Sequence, residues 1–190
     1  MDFLPLDDPR WRELEHRGWS NGCRCHLDPT APFVPDELAK LAVDPSDFER
    51  LSSLWPYLCS EGTTWAAAYG AVPYFVDFAR RLPAEQRAEY LIVLGLIVVH
   101  SCAEAGTSFE IKTFVERPYR RAVSDAFSLL METLAVETDT AKLRYLLGSA
   151  AALRGHLRLA AVLQDLDAVY GDCPKCGESV YPQELQEASK

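Results

Sequence analysis

The chain has little of what would tie it to a membrane or to nucleic acid. Its longest stretch without a polar side chain, Leu91 to Val99, is nine residues, well short of the ~20 that cross a bilayer as a helix. Basic residues are scarce. There are 19 Lys and Arg against 28 Asp and Glu, a net charge of −9, and such a balance repels phosphate backbones and anionic headgroups. The expected partner is therefore protein, with neither nucleic acid nor membrane, and a basic protein is electrostatically the easier one. The first residues, MDFLPLDDPRW, place acids and prolines where an export signal needs Lys or Arg and an apolar run, so the expected location is cytoplasmic.

Other absences concern chemistry and fold. No G-x-G-x-x-G follows a strand, and G-x-x-x-x-G-K-[ST], G-x-S-x-G and H-E-x-x-H do not occur, which removes the common dinucleotide, phosphate, hydrolase and zincin signatures. Alternating polarity of strand type is missing except at Glu178 to Tyr181. Asp165 and Asp167, or Glu184 and Glu187, are neighbouring carboxylates on polar faces, where nothing desolvates them. No catalytic residue is assigned.

What is present is helical periodicity. At 190 residues and 48% hydrophobic content the chain is sized for one large domain with a substantial core. Asp7 or Asp8 before Pro9 marks a helix start, with the helix running to about Gly18, and a brief helical turn is expected at Asp36 to Leu41. Ser46, Asp47, Phe48 and Glu49 form a capping-box pattern opening a helix through Leu51, Trp55 and Leu58, its last turn tightened at Pro56. Trp65, Tyr69, Val72, Val76 and Ala79 mark the next, which Pro73 should bend. Pro83 suits the first position of a helix containing Leu91 to Val99, apolar all round and so expected to be covered by neighbours. Further helices are expected from about Pro118 to Leu134, from a cap at Thr138 to Thr140 up to Gly155, and from Leu159 to a stop at Gly171. Helical pairs recurring every 35 to 50 residues or so suggest a solenoid.

The stretches LWPYLCSEGTTWAAAYGAVPYFVDFA, Leu54 to Ala79, and YLLGSAAALRGHLRLAAVL, Tyr145 to Leu163, resemble bacterial HEAT-like repeat proteins. The resemblance runs from about Phe48 to Val169 and rests on Gly62, Thr63, Trp65, Ala66 to Ala68, Tyr69, Val72 and Pro73. Ser60 and Glu61 stand where that pattern has His-Gln. The resemblance implies an all-α, HEAT-like α-solenoid of about three antiparallel helix pairs that binds another macromolecule, and it extends to immunity proteins that neutralise bacterial toxins. Residues 1–172 would form this domain and 173–190 a cysteine knuckle with its tail. The function expected is a non-catalytic protein-binding module, an antitoxin-like immunity protein facing a basic toxin domain. The alternative is a zinc-containing enzyme or nucleic-acid-processing accessory protein using the helical groove.

Two regions are candidate sites. Cys173-Pro174-Lys175-Cys176-Gly177 looks like half of a zinc-ribbon site, and Cys23, Cys25 and His26 form a second cluster, so Cys23, Cys25, Cys173 and Cys176 could share one structural zinc ion. The turn carrying Tyr57, Glu61, Thr64, Trp65 and Tyr74 is the candidate partner-binding patch, because exposed Tyr and Trp are the usual hot spots. Cys59 and Cys102 read as buried, reduced core residues. His100 and Cys102 lie two apart and point away from each other on a helix, so no nucleophile–base pair is expected there.

Overall fold

The computed structural model describes residues 3–14, 32–60, 63–101 and 111–164, together with two short strands, 171–172 and 179–180. Within these residues the fold is helix packed on helix. The helices are α1 (Trp11–Leu14), α2 (Val34–Val43), α3 (Phe48–Leu54), α4 (Ala66–Arg81), α5 (Ala88–His100), α6 (Thr113–Leu134), α7 (Thr140–Leu153) and α8 (Leu157–Gln164). Two-residue strands β1 (Cys59–Ser60) and β2 (Thr63–Thr64) pair antiparallel, Cys59 opposite Thr64. Strands β3 (Gly171–Asp172) and β4 (Ser179–Val180) pair likewise, Gly171 opposite Val180.

The starts and stops of these helices follow local chemistry, with some shifts from expectation. The cap of α3 is Asp47, one residue later than the capping box predicts: its carboxylate accepts from the Arg50 amide at 3.0 Å, while the Ser46 hydroxyl donates to Asp44 at 2.6 Å. Asp outcompetes Ser because an ionised acceptor makes the stronger bond to a backbone amide. Pro83 precedes a 3₁₀ turn, Ala84–Gln86, rather than opening α5 directly. Helix α6 begins at Thr113, five residues before Pro118, which it carries inside; the additional turn buries Val115. Pro56 sits in a 3₁₀ turn, Trp55–Tyr57, at the end of α3, as its tightening effect predicts. Asp139 caps α7, accepting from the amides of Ala141 and Lys142. Gly155, at φ +80°, ends α7 with the Gly155 amide donating to the Ala152 carbonyl and the His156 amide to that of Ala151, the paired bonds of a left-handed C-terminal cap. Helix α8 is described to Gln164, so its predicted course to Gly171, like that of α1 to Gly18, lies outside the described residues.

Packing joins both alternate and consecutive helices. Helix α4 packs most heavily on α6, and α5 on α7, with α2 against α4 and α8 against α7. An aromatic cluster fills the N-terminal part of the core: Tyr90 of α5 meets Phe48, Phe75 and Phe78, and its hydroxyl donates to the Pro45 carbonyl at 2.8 Å. Two glycines permit close approaches. A Cβ at Gly70 would lie 2.7 Å from the Trp11 ring, and one at Gly95 would lie 2.0 Å from Ser149 Oγ and 2.7 Å from its Cα.

Helix α5 departs from expectation in one respect. Most of it is buried, but Glu89, Ile92, Leu96 and His100 are only partly so. Their spacing of three and four puts them on one stripe. Among the described residues, the apolar helix at the centre of the chain is therefore not covered all round: one face, carrying Ile92 and Leu96, is only partly buried.

Candidate functional site

The predicted binding turn is largely interior. Thr64, Trp65 and Tyr74 are 0%, 5% and 8% exposed, because the β1–β2 pairing folds the chain back over α5 and the following helix α4 is buried along most of its length. Tyr74 donates its hydroxyl to the Leu4 carbonyl and stacks on Phe3 at 4.8 Å. Burial and the nearby Asp7 charge push it up to about 12. Tyr74 holds the N-terminal segment on α4, and Thr64 is bonded to the Ile97 carbonyl of α5. Of the predicted patch, Tyr57 alone among the described side chains is partly exposed, and Glu61 lies outside the described residues.

The fold instead builds a ridge from α3 and the 3₁₀ turn after it, with a concavity on either side. Phe48, Leu51, Ser52 and Trp55 recur at helical spacing and face Ile92, Val93 and Leu96 of α5 across a groove of about 190 Å³, with Glu89 at one end. Glu89 receives the Lys142 ammonium at 3.0 Å. On the other flank, Ser53, Leu54 and Tyr57 with Pro32 and Glu37 line a second concavity of about 270 Å³. Burial pushes the Glu37 carboxyl up, but hydrogen bonds from Lys40 and Arg50, each 2.6 Å, outweigh it and hold it below the usual range. Trp55 and Tyr57 thus border opposite sides of one ridge. The sequence signal for the groove was the Phe48, Leu51, Trp55 periodicity, which marks an apolar face without saying that its neighbour would cover it incompletely.

Behind the ridge lies a nucleophile–base pair that spacing could not reveal. Cys59 Sγ is 3.0 Å from His100 Nδ1, across 41 positions of sequence. The Thr64 hydroxyl has one hydrogen and two acceptors in reach, the Ile97 carbonyl at 3.2 Å and Cys59 Sγ at 3.7 Å. Cys59 is fully buried, and desolvation pushes its thiol up to about 12 despite the Thr64 hydroxyl, which works the other way. A thiol so held is protonated near neutrality, and the Cys59–His100 contact ties the two side chains together. The pair therefore fastens β1 to the end of α5. As a nucleophile it would need both a lowered pKa and access, and it has neither in this structure. Cys59 as a reduced core residue agrees with the sequence expectation; its partner is the new element.

The proposed zinc ligands Cys23, Cys25, Cys173 and Cys176 lie outside the described residues. Among the described residues no group of three or more His, Cys, Asp or Glu side chains is placed to hold a metal ion, and no helix is long and apolar enough to cross a membrane. No known protein family, curated protein or solved structure matches the chain.

Proposed function

We propose that the chain is a non-catalytic protein-binding helical-repeat protein of the immunity type, which holds a bacterial toxin inactive by binding it. The observation that carries this reading is the ridge at Trp55 and Tyr57, an aromatic edge with an apolar groove on one flank and a mixed, partly acidic concavity on the other, the arrangement in which interface anchors are seated. A HEAT-like solenoid of three pairs, α2 with α3, α4 with α5 and α6 with α7, is supported by the packing of alternate helices on one another. A zinc ion held by Cys173 and Cys176, with Cys23 and Cys25 as the second pair, belongs to the same proposal; the antiparallel pairing of Gly171–Asp172 with Ser179–Val180 on either side of the C-P-x-C-G run supports it.

The second reading is a zinc-containing enzyme or nucleic-acid-processing accessory protein. The Cys59–His100 contact favours it, and the burial of that thiol weighs against it. Capture of binding partners by the full chain in its own host discriminates the two. A single toxin-like protein that is inhibited on stoichiometric addition of the purified chain is the expected result. Recovery of a bound small ligand with no protein partner would end the immunity reading.

A further inference from the structure

The groove between α3 and α5 has a shape and a charge that specify an occupant. Its volume of about 190 Å³ is somewhat above the ~150 Å³ of an engineered apolar cavity that holds one benzene ring, so it takes one large apolar side chain, Leu or Phe in size. Its floor is Ile92 and Leu96 of α5, its wall Phe48 and Trp55, and its outer lip the exposed Ser52. The length of the open stripe, Ile92 to Leu96 and on to His100, is two turns of helix.

The surroundings are acidic. Residues 32–60, which supply the wall, carry Asp36, Glu37, Asp44, Asp47 and Glu49 against Lys40 and Arg50 only, with Glu37 on the opposite flank of α3, whereas residues 111–164 carry more Lys and Arg than Asp and Glu. Glu49 follows Phe48 on the exposed side of α3, and Glu89 closes the groove in an ion pair with Lys142. A cationic partner is attracted to the α3 side of the groove, where Glu49 is exposed.

We infer that the α3–α5 groove docks an amphipathic helix of a protein partner, seating an apolar side chain over Ile92 and Leu96 with Lys or Arg flanking it toward Glu49. This rests on the protein-binding reading and adds the partner's chemistry to it. An apolar pair at positions i and i+4 places one anchor in the groove and the next along the open stripe toward His100.

The test uses the full chain and a synthetic helical peptide of about 14 residues, with Leu at i and i+4 and Lys on the flanks. Controls are the same peptide with Glu for Lys and with Ser for both Leu. Calorimetric titration at two salt concentrations should show binding of the Leu/Lys peptide that weakens with salt, and none of either control. Ser52→Trp, which fills the groove from its exposed lip, and Leu96→Glu should each weaken binding at least about tenfold. Glu49→Lys should weaken it a few-fold and flatten the salt dependence. Unchanged thermal unfolding of Ser52→Trp separates loss of the groove from loss of the fold. Equal binding of the Glu peptide, binding unaffected by Ser52→Trp, or no binding at all overturns the inference, as does a dimer in sedimentation that Ser52→Trp dissociates, which would make a second copy the occupant. A toxin-like partner captured in the host while the peptide fails would remove this docking mode and leave the function standing; peptide binding with no captured partner would do the reverse.

Discussion

Cys59 shows how one residue's role depends on neighbours remote in sequence. Its thiol is sealed between α5 and the β1–β2 pairing, with His100 Nδ1 at 3.0 Å as its hydrogen-bonding partner. Burial raises it from an ordinary 9.0 to about 12, and burial together with the Asp7 charge raises Tyr74 from 10.0 to about 12. Tyr90 is raised as well, first by burial and then by Asp44 and Asp47. In each case the folded state keeps a proton that the unfolded chain gives up at lower pH. The stability these groups confer is complete below pH 9 and is lost as pH rises through 9 to 12. Urea unfolding at a series of pH values should show midpoints falling above pH 9, and Cys59→Ala should reduce the slope of that fall. The same burial predicts that iodoacetamide at pH 8 leaves Cys59 unmodified in the native protein and alkylates it in urea, read by peptide mass spectrometry. Alkylation of the native protein at Cys59 as fast as in urea would show the thiol to be accessible.

At the scale of the element, close helix approach and capping dominate. Helices α5 and α7 meet where Gly95 faces Ser149, and an added Cβ would collide with the Ser149 backbone as well as its hydroxyl. Rotation of the serine cannot relieve that. Gly95→Ala, which would help an isolated helix, should here destabilise by about 1–3 kcal/mol or more, seen as a lower denaturant midpoint. Ser149→Gly should recover part of the loss, because the clash is with that residue. Asp139→Ala removes the acceptor of two amides at the start of α7 and should cost about 1 kcal/mol. The sequence signal for the start of α7 was good, since Thr-Asp-Thr before a periodic stretch is a local feature; a glycine in an apolar run does not say what it will face. The shifted starts of α3 and α6 were less legible. The choice of Asp47 over Ser46 as cap turns on which of two adjacent side chains makes the stronger bond to a backbone amide, and the start of α6 on the burial of Val115 ahead of Pro118.

For the whole molecule, charge and chain ends matter. The acid excess is not spread evenly: residues 111–164 carry a basic excess, and every other part of the chain carries an acidic one, the largest in 165–190 and 32–60. A basic partner should therefore associate with rates that fall with salt, and charge reversals near α3 should slow it more than reversals on α6, measured by stopped flow with the captured partner. The zinc proposal also belongs to this scale, because its two cysteine pairs are about 150 positions apart. Protein purified without chelator should contain one zinc per chain by elemental analysis, and Cys23→Ser should lose it as Cys173→Ser does. Zinc retained by Cys23→Ser would confine the site to the C-terminal pair.

The sequence alone determined the helical class, most helix positions, the reduced and buried character of Cys59 and the glycine stop after α7, because each is set by residues within a few positions of one another. It also marked Leu91 to Val99 as the centre of the chain. Tertiary structure decided which side of that helix stays open. The 3.6-residue period places Ile92 and Leu96 on one stripe, but whether that stripe is covered depends on α3 being only seven residues long and on where its 3₁₀ turn carries Trp55. The same dependence on long-range packing turned Thr64, Trp65 and Tyr74 inward and brought Cys59 to His100. Periodicity tells which residues share a face; only the arrangement of the other helices tells what that face meets.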